Sequence, residues 1–128
     1  MDKLEYIPGD LVKFATNTYT IVNFEENFLQ NKICYALIST NSTKTAFVAD
    51  RDILPIPLTP EILEKNGWRE EKGDYINDNY HIKLCEKIDG YSAYKVVNDT
   101  IVWLRDVKSV SNLQHLLFGL GLNSEMEV

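Results

Sequence analysis

A chain of 128 residues with 45% hydrophobic and 25% charged side chains can fold as one ordinary globular domain or as two very small modules, and no stretch is polar or repetitive enough to indicate disorder. The formal net charge of −6 is spread evenly, with five basic and seven acidic side chains in residues 1–58 and eight and twelve in residues 59–128. Neither half therefore has the clustered Lys and Arg that phosphate-backbone binding requires, and the apolar runs, residues 101–104 and 116–118 among them, fall far short of the ~20 residues that cross a bilayer.

The amino terminus mixes charges and lacks a basic segment followed by an apolar core, so the expected location is cytoplasmic, with no membrane partner. Residues 11–14, 19–24, 33–39 and 45–49 are rich in β-branched and aromatic side chains. They are punctuated by Pro8-Gly9-Asp10, Asn17, Asn27 and Asn41-Ser42, which predicts four or five short strands. So many strands in under sixty residues suggest a small barrel that closes its own sheet edges. The run Gly9-Asp10-Leu11-Val12, a longer hairpin, and a closing strand ending at Asp52-Ile53-Leu54 resemble SH3-like barrels over roughly residues 7–56. The resemblance implies a topology and no activity.

Pro55-Ile56-Pro57-Leu58 reads as a linker, because each proline fixes its own φ and favours extended geometry before it. A short helix follows: Thr59 can cap it, Pro60 takes the first helical position, Gly67 supplies the left-handed stop, and Trp68 can pack back on Leu63. Short strands are predicted near 74–76, 80–86, 92–97 and 100–104. Asn77-Asp78-Asn79, Asp89-Gly90 and Asn98-Asp99 join them as the turns of an antiparallel meander. Alternation places Tyr80, Ile82 and Leu84 on one strand face and His81, Lys83 and Cys85 on the other. From Ser109 or Ser111 to about Leu120, the apolar residues Val110, Leu113, Leu116, Leu117 and Leu120 recur at helical spacing, and the acidic residues 123–128 read as a frayed end.

The fold class is thus α+β. An N-terminal SH3-like β-barrel in residues 1–57 precedes a module of residues 58–128, which is a helix, an antiparallel meander and a C-terminal amphipathic helix. The segments Ile53-x-Pro-Ile-Pro-Leu-Thr-Pro-Glu-Ile-Leu-x-x-Asn-Gly-Trp68 and Val110-x-x-Leu-Gln-His-Leu-x-Phe118, with a Tyr-rich strand region between them, resemble an uncharacterised family of small phage and mobile-element proteins of gut anaerobes. That resemblance implies no catalytic residues.

No constellation of residues points to chemistry. His81 and His115 are the only histidines, and both read as surface residues. Cys34 and Cys85 lie far apart, without partners at metal-ligand spacing, and read as free thiols; no metal or cofactor is expected. Asp50 and Asp52 could point together in an extended segment, but a pair before Ile53-Leu54-Pro55 reads more simply as a solvated turn. Residues 74–79 lack the acidic spacing and glycine of a calcium loop, and the six glycines form no phosphate-binding loop.

Aromatic side chains are the richest binding resource. Phe28, in a polar loop, and Phe118, off the main apolar arc of the last helix, are the candidate partner contacts, whereas most of Trp68, Tyr75, Tyr80, Tyr91, Tyr94 and Trp103 are expected in the core. The functional expectation is a non-enzymatic protein-binding or accessory module, with a homo-oligomer possible. The alternative, a nucleic-acid-associated accessory protein, would need a basic patch around Lys13, Lys32, Lys44 and Arg51.

Overall fold

The structure is a computed structural model that describes residues 6–27, 32–39 and 45–128, and the backbone but not the side chains of residues 25–27, 32 and 33. It is α+β, with two antiparallel sheets and two α-helices, and divides into two compact units, Met1–Ile56 and Pro57–Val128.

In the first unit, Pro8 and Gly9 occupy the centre of a tight turn closed by an Asp10 N–H to Ile7 carbonyl bond of 3.1 Å, with Gly9 at φ +96°. A left-handed residue at that position favours glycine. Strands β1 (Leu11–Phe14), β2 (Asn17–Asn27), β3 (Lys32–Ser39) and β4 (Thr45–Ala49) follow, pairing antiparallel in that order. Val12, Ile21, Tyr35, Leu37 and Val48 from their inner faces are buried with Tyr6 and Ile53, and the Tyr6 and Tyr35 rings meet edge to face at 5.6 Å.

After a 3-10 turn at Asp50–Asp52 the chain returns to β1, where Lys13 and Leu54 exchange two backbone hydrogen bonds of 2.9 and 2.8 Å. The expected self-closing barrel is not formed among the described residues. The return stops at this single bridge between Lys13 and Leu54.

The second unit opens with α1 (Pro60–Lys65). Thr59 Oγ1 accepts the Ile62 N–H at 3.3 Å, and the helix ends where the Trp68 N–H reaches the Leu63 carbonyl at 3.0 Å and the Gly67 N–H reaches Glu64 at 3.2 Å. Gly67 has φ +87°, and Leu63 and Trp68 are both buried. This is the two-bond helix terminus that the Asn66-Gly67 sequence suggests.

Five strands then form a continuous antiparallel meander: β5 (Arg69–Glu71), β6 (Asp74–Asn77), β7 (Ile82–Lys87), β8 (Gly90–Val97) and β9 (Thr100–Val107). Its inner face carries Tyr75, Ile82, Leu84, Tyr91, Ala93 and Val107, all buried. Helix α2 (Val110–Gly119) is capped by Ser109 and buries Val110, Leu113, Leu116 and Leu117.

Several details depart from the sequence reading. Strand β5 is an additional edge strand. Tyr80 and His81 belong to the β6–β7 turn, with His81 at φ +56°, while Ile82 and Leu84 keep the buried face. Leu120, at the α2 C-cap, is 40% exposed. The acidic terminal residues are held rather than frayed. Gln114 Nε2 donates to the Ser124 carbonyl at 3.1 Å, and the Asn66 carboxamide bonds both the N–H and the carbonyl of Glu127.

Candidate functional site

Alternation along the meander leaves one face away from the core. The register sets Arg69, Ile76, Lys83, Tyr94 and Trp103 in a cross-strand row over all five strands of that outer face, with Val96 opposite Ile101 beside it. Between the ends of this row lies an open groove of about 280 Å³. Its apolar floor is Ile76, Val96 and Ile101, and its polar margin is Arg69, Asp78, His81 and Lys83.

The margin is built locally. Asn77, itself buried, uses Oδ1 to accept the N–H groups of Asn79 and Tyr80 at 3.1 and 3.2 Å, folding the turn that presents Asp78 and His81. Asp78 then takes a two-pronged contact from Arg69, Nε to Oδ2 at 2.7 Å and Nη2 to Oδ1 at 3.1 Å, while Nη1 reaches Glu71 at 2.7 Å. The hydrogen bond to Asp78, and then the one to Glu71, makes the guanidinium hold its proton more tightly than usual, and the same contact lowers the Asp78 carboxyl. Lys83 faces Asp74 at 3.5 Å. Arg69, Glu71 and Asp78 are exposed and Lys83 and Asp74 half-buried, so these pairs orient the rim more than they stabilise it.

The opposite end of the outer face is β9, the last strand in the sheet order. Among the described residues no strand pairs with its far edge. Ile101, Val102 and Trp103 are 52%, 51% and 58% exposed, and Leu104 is an extra residue between Trp103, opposite Tyr94, and Arg105, opposite Ala93. Trp103 Nε1 donates to Asp106 Oδ1 at 3.4 Å, and Asp106 also accepts from Lys87 Nζ and Ser92 Oγ, both at 2.8 Å. The Lys87 bond first, then that from Ser92, lowers the Asp106 carboxyl to about 2. Trp103 is therefore an exposed aromatic rather than a core residue, and it is the main site residue that sequence reasoning placed wrongly.

The other candidates lie apart from this face. Phe28 lies outside the described residues. Phe118 is 67% exposed on α2. Asp50 and Asp52 sit exposed in the 3-10 turn, and His115 is half-buried on α2. Cys34 and Cys85 are both free and half-buried, and burial raises the Cys85 thiol, which keeps it protonated and a poor nucleophile at neutral pH. Lys13 and Arg51 are exposed, but Lys44 and the Lys32 side chain are outside the description, so the basic patch is not assembled by the described residues. Among those residues no group of three or more His, Cys, Asp or Glu could hold a metal ion, and no helix is long and apolar enough to cross a membrane.

No protein-family model matches the chain, and neither a curated protein nor a solved structure is significantly similar to it.

Proposed function

We propose that the chain is a non-enzymatic protein-binding accessory module that receives an apolar side chain of a partner in the outer-face groove of the second sheet. The observation that carries this reading is the open floor of Ile76, Val96 and Ile101 inside a margin whose charges are largely paired already. A groove of about 280 Å³ is at or below the roughly 300–1,000 Å³ of ordinary small-molecule pockets, and it suits one or two protein side chains. Its paired rim admits an apolar group without leaving a charge stranded.

The first unit fits an SH3-like strand order: a 3-10 turn precedes a short return, and Leu54 lies beside β1, which pairs with β2 on its other edge. In this reading it is the second, structural half of the module. The sequence resemblance to small phage and mobile-element proteins favours an accessory role within such an element.

The test is panning of a random peptide library against the immobilised chain. Peptides sharing an aliphatic or aromatic anchor should be enriched, and Val96→Glu should weaken them about tenfold or more while the fold persists by circular dichroism. Equal binding to wild type and Val96→Glu would overturn the reading. Submicromolar binding of duplex DNA with a steep salt dependence would replace it with the nucleic-acid-associated alternative.

A further inference from the structure

Residues 123–128 lie on the second unit as a strap whose main chain is gripped by side chains of the body. Gln114 Nε2 donates to the Ser124 carbonyl at 3.1 Å, and the Tyr80 hydroxyl donates to the Asn123 carbonyl at 3.4 Å. The Asn66 carboxamide takes both polar groups of the Glu127 peptide, and Lys65 Nζ reaches the Val128 main-chain oxygen at 3.1 Å. All five contacts go to the backbone of the strap, so they ask for an extended chain and not for particular side chains. The receiving groups come from three elements: the end of α1, the β6–β7 turn and α2. Gln114 is only 4% exposed, a polar side chain built into the body with its amide aimed at the strap.

The strap satisfies these groups without filling the space it covers. It is held at Asn123–Ser124 and again at Glu127–Val128, and an open cavity of about 400 Å³ remains, lined by Lys65, Asn66, Asn123, Glu125, Met126 and Glu127. Ser124 and Met126 are half-buried, whereas Asn123, Glu125 and Glu127 are exposed, the alternation of an extended chain with one side inward. Glu125 and Glu127 form no ion pair among the described residues, and residues 59–128 already carry twelve acidic side chains against eight basic ones. We propose that Lys65, Asn66, Tyr80 and Gln114 form a binding site for an extended peptide of a partner protein, which residues 123–128 occupy in cis as an exchangeable stand-in. The partner segment carries a small residue at the Ser124 place, a flexible apolar one at the Met126 place and neutral or basic residues at the outward places. Tethering gives the strap an effective concentration on the order of millimolar, so an incoming peptide competes at a disadvantage until the strap is weakened. The site shares none of the lining residues of the outer-face groove, so peptide capture here does not depend on what the groove receives.

Fluorescence anisotropy of a labelled peptide with the sequence of residues 122–128, titrated with the full chain, tests this. The wild type should bind it weakly. Glu127→Pro deletes the N–H that Asn66 accepts and leaves the four receiving side chains intact, so this opened chain should bind the peptide about tenfold or more tightly, with circular dichroism unchanged. A peptide carrying the same Glu127→Pro change should fail to bind the opened chain, and one with Lys in place of both glutamates should bind it more tightly at low salt. Adding Asn66→Ala, or Tyr80→Phe, which removes only a hydroxyl, should reduce the gain. No binding by the opened chain at millimolar peptide, or equal affinity for wild type and opened chain, would overturn the proposal. A gain that survives both Asn66→Ala and Tyr80→Phe would place the peptide elsewhere and overturn it too, and weaker binding of the Lys peptide would overturn the charge preference.

Discussion

The carboxamide of Asn66 pairs with the peptide of Glu127 as a neighbouring strand would, Nδ2 donating to the carbonyl at 2.7 Å and Oδ1 accepting the N–H at 2.8 Å. The same Nδ2 also donates to the Ile62 carbonyl at 2.7 Å, which aims the amide from the C-cap of α1. We predict that Asn66→Ala releases the tail, with loss of hydrogen-exchange protection at the Glu127 amide and a stability cost of about 1–2 kcal/mol for three part-exposed hydrogen bonds. Asn66→Asp should do the same, because a carboxylate retains the acceptor but faces the Glu127 carbonyl with a second acceptor. Unchanged exchange at Glu127 in both variants would mean that other contacts hold the tail.

The joint after α1 separates packing from backbone strain. Trp68 is 3% exposed, so Trp68→Ala should cost about 3–5 kcal/mol. Gly67→Ala meets no atom within 4 Å and pays only for its left-handed φ of +87°, about 1 kcal/mol. Gly90→Ala should lie above Gly67→Ala, because its Cβ would sit 2.7 Å from the Val107 carbonyl oxygen and its φ is +133°. Urea melts of the three variants beside the exposed control Glu64→Ala check this order, and a Trp68→Ala midpoint no lower than the control's would show that the indole is not a core residue.

Lys72 and Gly73 link β5 to β6 with φ of +54° and +89°, the signature of a tight hairpin turn with both central residues left-handed. Lysine is strained there, whereas asparagine tolerates the conformation. Lys72→Asn should therefore stabilise the second unit by about 0.5–1 kcal/mol, read as a raised melting temperature. A fall in melting temperature would mean that the lysine makes a contact worth more than the strain.

Asp106 links acid stability to the outer face. Its folded carboxyl, at about 2, lies below its ordinary value of 3.8, so its contribution is complete above the ordinary value and is lost as pH falls through the folded one. The denaturation midpoint should drop between about pH 4 and about pH 2, and Asp106→Asn should flatten that part of the profile. Asp78 and Asp89 are lowered in the same direction by Arg69 and Lys108, so some slope will persist in the variant. A carboxyl titration by NMR that inflects for Asp106 near its ordinary value would contradict the Lys87 and Ser92 contacts.

What the sequence made legible was whatever local chemistry decides. The runs Leu11–Phe14 and Thr45–Ala49 are β-branched and bounded by turn residues, and they form strands at those positions. Thr59, Pro60 and Gly67 fixed both ends of α1. Strand β5 was not legible because Arg69, Glu70 and Glu71 include no strand-favouring side chain, and the strand exists only through its pairing with β6. Trp103 was misplaced for a related reason: alternation tells which residues share a face, but whether a strand lies at a sheet edge depends on the order of all five. The groove is equally non-local, since Arg69, Ile76, Val96 and Ile101 meet only through four successive registers.

The two hydrogen bonds between Lys13 and Leu54 join positions 41 apart (54 − 13), whereas β1–β2 and β3–β4 are neighbours along the chain. Closing so long a loop yields no contact until its ends meet, so the hairpins form first and this bridge last. A link made after the folding barrier governs escape from the native state rather than arrival at it. Leu54→Pro, which removes one of the two donors, should steepen the loss of native protein by speeding unfolding and leave the refolding arm of a stopped-flow chevron almost unmoved. On this expectation, a pair of main-chain bonds beside a proline, rather than the aromatic core alone, governs how long the first unit stays folded.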